Sequence, residues 1–212
     1  MKKTRTVIGI DQGTANLGVA VNRTIDDGGI RVSKLGVCHW PGNSFRGAIE
    51  VFGTLVRLIQ ALPDEIRLVV LEGRAYGMAT RKTSTGATAG YNMAGLWHVD
   101  TMIQYYCAAE RIPFLVAAPC SWKRFVGGKG KGRMTKPEVQ ATMKAQGLYS
   151  KDKDIQDAIA LSVLGVAKVL HDDGDREQLA ASFDEEQVKY MRVQFRTQVQ
   201  DDFSLEWPGR RR

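Results

Sequence analysis

Four acidic residues stand where a carboxylate could do chemistry. Asp11 follows the apolar run Val7-Ile8-Gly9-Ile10, and Glu72 closes the run Leu68-Val69-Val70-Leu71. Asp154 and Asp157 are spaced i, i+3, which puts them on one face of a helix beginning near Asp154. If the strands that end in Asp11 and Glu72 are parallel neighbours, both acids project from one sheet edge, where α/β proteins place their ligands. A helix packed across that edge brings its two aspartates alongside. Carboxylates so close raise one another's pKa, and divalent cations cancel the cost. Mg²⁺ takes hard oxygen ligands and keeps some water, so a few carboxylates and a phosphate oxygen complete its shell. Two such ions about 4 Å apart activate a water and stabilise the leaving oxygen of an in-line attack on phosphorus. The scattered His39, His98 and His171, and the Cys38, Cys107 and Cys120 without C-x-x-C spacing, do not make a zinc set. Singly, each acid also has a structural account: a turn for Asp11, a strand leaving the core for Glu72, a helix dipole for the aspartates. As an ordered set they read as a metal site.

The elements that must position them follow from apolar periodicity. Val7–Ile10 and Leu17–Val21 flank a tight turn, and Ile30 to Trp40 alternates as a third strand. Ile49, Phe52, Val56 and Ile59 predict a helix from Phe45 to Leu62, broken by Pro63. Arg67 to Glu72 reads as a buried central strand. A helix is predicted from Thr88 to Arg111, then a fifth strand from Ile112 to Ala118, ended by Pro119. Pro137 suits the first turn of a helix reaching Gln146. The last core helix carries Ile155, Ala158, Ile159, Leu161 and Leu164, and one more helix is expected from Glu185 to Gln200. Three strands in a meander, followed by strands alternating with helices, predict an α/β fold: a five-stranded mixed sheet flanked by helices on both faces.

Composition sets the outer bounds. The 212 residues suffice for one α/β domain and an appendage. A net charge of +7 favours a polyanionic partner. Its distribution says more: Arg74 to Lys136 holds ten cations and two acids, whereas Asp172 to Glu206 holds ten acids and four cations. Between Trp122 and Lys136 six cations alternate with glycines and no acid intervenes. Such a stretch, with Lys123, Arg124, Lys129, Lys131, Arg133 and Lys136, can follow a phosphate backbone without reading sequence, or be a solvated face. Arg74, Arg81 and Lys82 follow Glu72 closely and join the basic stretch as candidate DNA contacts. Tyr76 can stack on an unpaired base or pack on its own loop. The odd cysteine count and the absence of a long apolar segment lead us to expect a cytoplasmic protein with no membrane partner, and the basic stretch one associated with DNA.

These residues resemble the RuvC family of Holliday-junction resolvases, in the RNase H-like nuclease superfamily. GIDQGTANLGVAV is similar to that family's opening motif, LVVLEGRAY to its second acidic strand, and ATAGYNMAGL to the helix start that follows. VAAPCSWKRFVGGKGKGRMTKPEVQ resembles its strand, basic loop and lysine-bearing helix start, and DIQDAIALSV its closing Asp-x-x-Asp motif. The resemblance runs over about residues 5–170, and implies a RuvC-like nuclease domain at 1–171 with an acidic extension at 172–212. It assigns the metal ligands to Asp11, Glu72, Asp154 and Asp157, with two Mg²⁺ per site and Mn²⁺ as a substitute. It further implies a homodimeric endonuclease that nicks opposed strands of a four-way DNA junction symmetrically. Lys136 matches a family lysine that contacts the scissile phosphate or assists the water; a surface phosphate contact is the alternative. Gln12 stands where the family has Pro, and the extension has no counterpart in the family core. Such departures would suit a phage-type or otherwise diverged member in a bacterial or phage-infected cell.

Three other readings compete. The Asp-Gln-Gly-Thr turn also resembles the phosphate-binding turn of sugar-kinase and actin-like ATPases, which need two lobes that this chain is too short to hold. A flap or RNA–DNA hybrid nuclease of the same superfamily would use the same acids. A non-catalytic branched-DNA binder would not need all four.

Overall fold

In the computed structural model the described residues are 5–12, 16–24, 30–39, 45–63, 65–73, 80–82, 88–90, 93–127 and 134–194. Strands β1 (Arg5–Gln12), β2 (Asn16–Thr24) and β3 (Ile30–His39) precede helix α1 (Phe45–Gln60) and strand β4 (Ile66–Glu72). Short strands β5 (Thr80–Lys82) and β6 (Thr88–Gly90) lead to α2 (Met93–Ala109), β7 (Phe114–Ala117), α3 (Pro119–Gly127), α4 (Lys136–Ala145) and α5 (Lys153–Asp172). Helices α6 (Arg176–Ser182) and α7 (Glu185–Gln194) complete the described chain. The main sheet is mixed, in the order β3-β2-β1-β4-β7. β1 runs antiparallel to β2 and parallel to β4, while β4 and β7 are parallel.

Strand alternation sorts the apolar side chains into two clusters. Val7, Leu68 and Val70 join one with Ala158, Leu161 and Leu164 of α5. Ile8, Ile10, Val69 and Leu71 join the other with Leu55 of α1 and Val99 and Ile103 of α2. Consecutive residues of β1 and β4 therefore face opposite layers, and the strands read as unbroken apolar runs.

Helix α5 is buried from Gln156 to Leu170, which requires it to lie very close to the sheet. Two glycines permit this. A Cβ on Gly9 would fall 2.1 Å from the Ala158 carbonyl oxygen, and one on Gly18 the same distance from the Asp154 carbonyl oxygen.

Sequence and structure differ in three places. Residues 88–90 pair with 80–82 as a two-stranded ribbon instead of opening the next helix, which begins at Met93. Thr-Ala-Gly carries no apolar periodicity, and β-branched Thr88 suits the ribbon. Pro119 does not merely end a strand: it opens α3, where its fixed φ is tolerated in the first turn. The expected helix from Glu185 is α7, described as far as Gln194 with the residues beyond outside the described ones, but α6 before it was not expected.

The acidic segment is packed onto the rest. Leu179, Phe183 and Met191 are buried in the α5 cluster, and the Phe183 ring lies 5.7 Å from that of Phe125. Arg5 pairs with Asp173 at 2.7 Å and Asp175 at 3.0 Å, and Arg67 reaches Asp173 at 2.9 Å. The segment's charge is thus partly met by cations at the starts of β1 and β4. Among the described residues no helix is long and apolar enough to cross a membrane.

Two outcomes are expected in urea unfolding of the full chain and its variants. Gly18→Ala should lose about 1–3 kcal/mol or more, because backbone rather than a flexible side chain opposes the new methyl; unchanged stability would contradict the close approach. A chain ending at Gly174 should be markedly less stable, since each of three buried apolar side chains contributes about 1.5–3 kcal/mol.

Candidate active site

The register of the central strands sets the site. Ile10 of β1 pairs with Leu71 of β4, so Asp11 and Glu72 leave the same edge one residue later. Asp11 is 4% exposed, and its alternation carries it to the α5 side. There Gly18, which pairs with Asp11, lies against the Asp154 backbone. Asp157, also 4% exposed, follows one turn along α5.

Capping leaves the two aspartates of α5 to the site. Asp152 is the N-cap, its carboxylate accepting from the Asp154 and Ile155 backbone N–H groups at 2.9 and 3.0 Å. Gln156 fixes the approach to the helix: it accepts from Ser150 N–H at 2.7 Å and donates to the Leu148 carbonyl at 3.2 Å.

The charges respond to this crowding. Burial first, then the charge of Glu72 and a hydrogen bond with it, then Asp157 and Asp154, push the Asp11 carboxyl up to about 9. Near neutral pH this favours the protonated form of Asp11, hydrogen-bonded with Glu72. The second compensation is Lys136, whose Nζ lies 2.8 Å from Asp157 Oδ2. Burial pulls its pKa down, but the hydrogen bond and charge of Asp157, with Asp11 and Glu72, outweigh that and hold it above the ordinary value. Lys136 is placed by its helix start: the Thr135 N–H and hydroxyl donate to Glu138 at 2.7 and 2.8 Å, and Pro137 sits in the first turn.

Sequence reasoning missed Trp122. Its Nε1 donates to Glu72 Oε1 at 3.1 Å, and the residue is wholly buried. The i, i+3, i+4 spacing of Trp122, Phe125 and Val126 within SWKRFV was an available signal of an inward-facing helix. It also missed Gln12, which donates to Asp100 of α2 at 3.0 Å and so ties the end of β1 to the opposite layer.

The candidate DNA contacts divide. Lys123 Nζ stands 5.0 Å from the Trp122 ring centroid and Arg124 4.9 Å from that of Tyr190. Arg81 and Lys82 lie on β5. Arg74, Tyr76, Lys129, Lys131 and Arg133 lie outside the described residues.

Among the described residues, no three His, Cys, Asp or Glu side chains are arranged so as to enclose a metal ion. The donor chemistry nevertheless fits a hard divalent cation. Four carboxylates are brought to one edge, without thiol or imidazole, and their negative charge is met by a shared proton and one lysine.

A Thermus thermophilus RuvC structure is similar to this chain with a TM-score of 0.59 and 16% identity, over 80% of this chain and 96% of that one. This chain has the RuvC fold. A second structure, T. thermophilus RuvC in complex with a Holliday junction substrate, aligns with a TM-score of 0.57 and 15% identity, over 82% of this chain and 96% of that one. No family model and no curated protein matches the sequence. The resemblance carried by the sequence motifs is thus met in three dimensions, as a RuvC-like arrangement of strands and helices.

Asp11 provides a test of this electrostatic account. Its folded pKa lies above the ordinary 3.8, so its contribution to stability is complete below about 4 and is lost as pH rises toward about 9. With chelator present, Asp11→Asn should melt higher than the unaltered chain, and the gap should widen from about pH 5 to about pH 8. A gap constant with pH would overturn the assignment.

Proposed function

We propose that the chain is a Mg²⁺-dependent endonuclease that hydrolyses phosphodiester bonds in branched DNA, with the four-way junction as its principal substrate. The observation that carries this reading is the gathering of Asp11, Glu72, Asp154 and Asp157 at one edge of a RuvC fold. The RuvC neighbour bound to a Holliday junction supports the substrate class.

Bound metal ions would supply an activated water and stabilise the leaving oxygen. Asp11 and Glu72 would hold them from the sheet, and Asp154 and Asp157 from α5. Binding requires Asp11 to give up the proton it shares with Glu72, and Lys136 to exchange Asp157 for another anion. Lys136 is half exposed, so its ammonium can turn to a phosphate oxygen without leaving the site. Release of Asp157 and capture of phosphate are then linked at one side chain. The basic stretch 123–136 would hold the DNA backbone, with Lys123 and Arg124 already ordered on aromatic rings. We further propose a homodimer making paired nicks. A two-fold substrate favours a two-fold enzyme, and Ile49 of α1 and Tyr105 of α2 are exposed apolar surface that a second copy would cover.

A substrate panel tests the reading: four-way, three-way, flap, RNA–DNA hybrid and linear duplexes, each with Mg²⁺ or Ca²⁺. The unaltered chain should nick the four-way junction in opposed strands with Mg²⁺. Asp11→Asn should bind it and lose at least about 100-fold in cleavage. Preferred cleavage of flaps or hybrids would replace the junction by that substrate. Binding without cleavage by both proteins would leave a branched-DNA binder, and equal cleavage by both would remove Asp11 from the chemistry.

A further inference from the structure

Glu72 differs from the three aspartates in having one more rotatable bond, and unlike Asp154 and Asp157 it stands at the end of a strand instead of on a packed helix. A carboxylate so placed needs a partner to select one orientation. The indole Nε1 of Trp122 supplies it, donating to Oε1 at 3.1 Å.

Trp122 is well suited to the task because it cannot move. It is fully buried within the α5 cluster, beside Phe125 and Val126 of the same helix. Helix α3 is in turn seated on the acidic segment. Gln187 of α7 donates to the Phe125 carbonyl at 3.1 Å, Phe183 packs on the Phe125 ring, and Tyr190 meets Arg124. An indole has a single donor in a fixed direction, so it constrains one oxygen of Glu72 and leaves the other oxygen and further lone pairs for a ligand. A Trp serving only to fill the core could equally satisfy its N–H on a backbone carbonyl; here it ends on a carboxylate of the site.

We propose that Trp122 is a positioning residue for Glu72: its indole N–H sets the carboxylate in the orientation that binds metal, and α7, with Phe183 just before it, holds α3 in place to do so. The proposal rests on the nuclease reading above.

Two measurements on the full chain test it. In indole ¹⁵N–¹H spectra recorded with chelator, the Trp122 resonance should be protected from solvent exchange and should shift in Glu72→Ala. A resonance that exchanges freely and does not respond to Glu72 would overturn the proposal without any change at Trp122. The second is Mn²⁺ binding by calorimetry to the unaltered chain and to Trp122→Phe, which keeps an aromatic ring and loses the donor. Trp122→Phe should bind Mn²⁺ at least about 10-fold more weakly, while its affinity for a four-way junction in Ca²⁺ stays within about 2-fold. Equal Mn²⁺ affinity in a folded Trp122→Phe would overturn the positioning role and leave the nuclease reading standing. Failure of the unaltered chain to bind Mn²⁺ would instead overturn the nuclease reading, and the proposal with it.

Discussion

Negative charge held out of water is the constraint around which this molecule is arranged. Asp11 is nearly inaccessible and has Glu72, Asp154 and Asp157 for company. Burial alone disfavours its ionised form, and three further carboxylates compound the effect. The fold tolerates this because two positive elements are at hand: a proton shared between Asp11 and Glu72, and the Lys136 ammonium on Asp157. Neither compensation is permanent. A proton can be lost and a half-exposed lysine can swing away, so both can yield to a stronger source of positive charge. A site that is electrostatically strained and only provisionally neutralised suits the capture of divalent cations, and its cost falls on the surrounding core.

That core answers with close contact. Aspartate is short, so two aspartates on α5 can approach Asp11 only if the helix backbone nearly touches the sheet. Gly9 and Gly18 make room at the point of contact, and Gly165 repeats the arrangement a few turns later against Val7 and Val70. Side chains at these positions would push the helix outward, separating the carboxylates before any of them was altered. The glycines of β1 and β2 are therefore as much part of the site as the acids, acting through distance instead of charge.

Much of this was legible in the sequence because it is written in local periodicity. The apolar runs before Asp11 and Glu72 are too continuous for half-buried strands, and the i, i+3 spacing of Asp154 and Asp157 fixes their common face whatever the tertiary context. The reading failed where the signal is not local. Thr88–Gly90 pairs with residues 80–82, and a single β-branched residue among three is too little to announce a strand. Pro119 was ambiguous in principle, since proline both ends strands and opens helices. Trp122 was hidden for a different reason. Its role depends on a residue fifty positions earlier, and its neighbours Lys123 and Arg124 drew attention to charge. Asp152 went unread as the N-cap of α5, because three nearby aspartates offer the same local chemistry.

The opposed charges of the chain acquire a spatial meaning from α5. At about 1.5 Å per residue, the helix carries Asp172 about 27 Å from Asp154. Asp173 and Asp175, at its far end, are engaged with Arg5 and Arg67. That separation exceeds the screening length of about 8 Å at physiological salt, so these acids exert little repulsion on a polyanion at the other end. Lys136 lies with the carboxylates of the site, at the near end. Asp173 and Asp175 can therefore be charged without opposing the binding of nucleic acid there, and the contribution of the acidic segment to the site passes through packing: Phe183 and Gln187 onto Phe125, and from the same helix Trp122 onto Glu72.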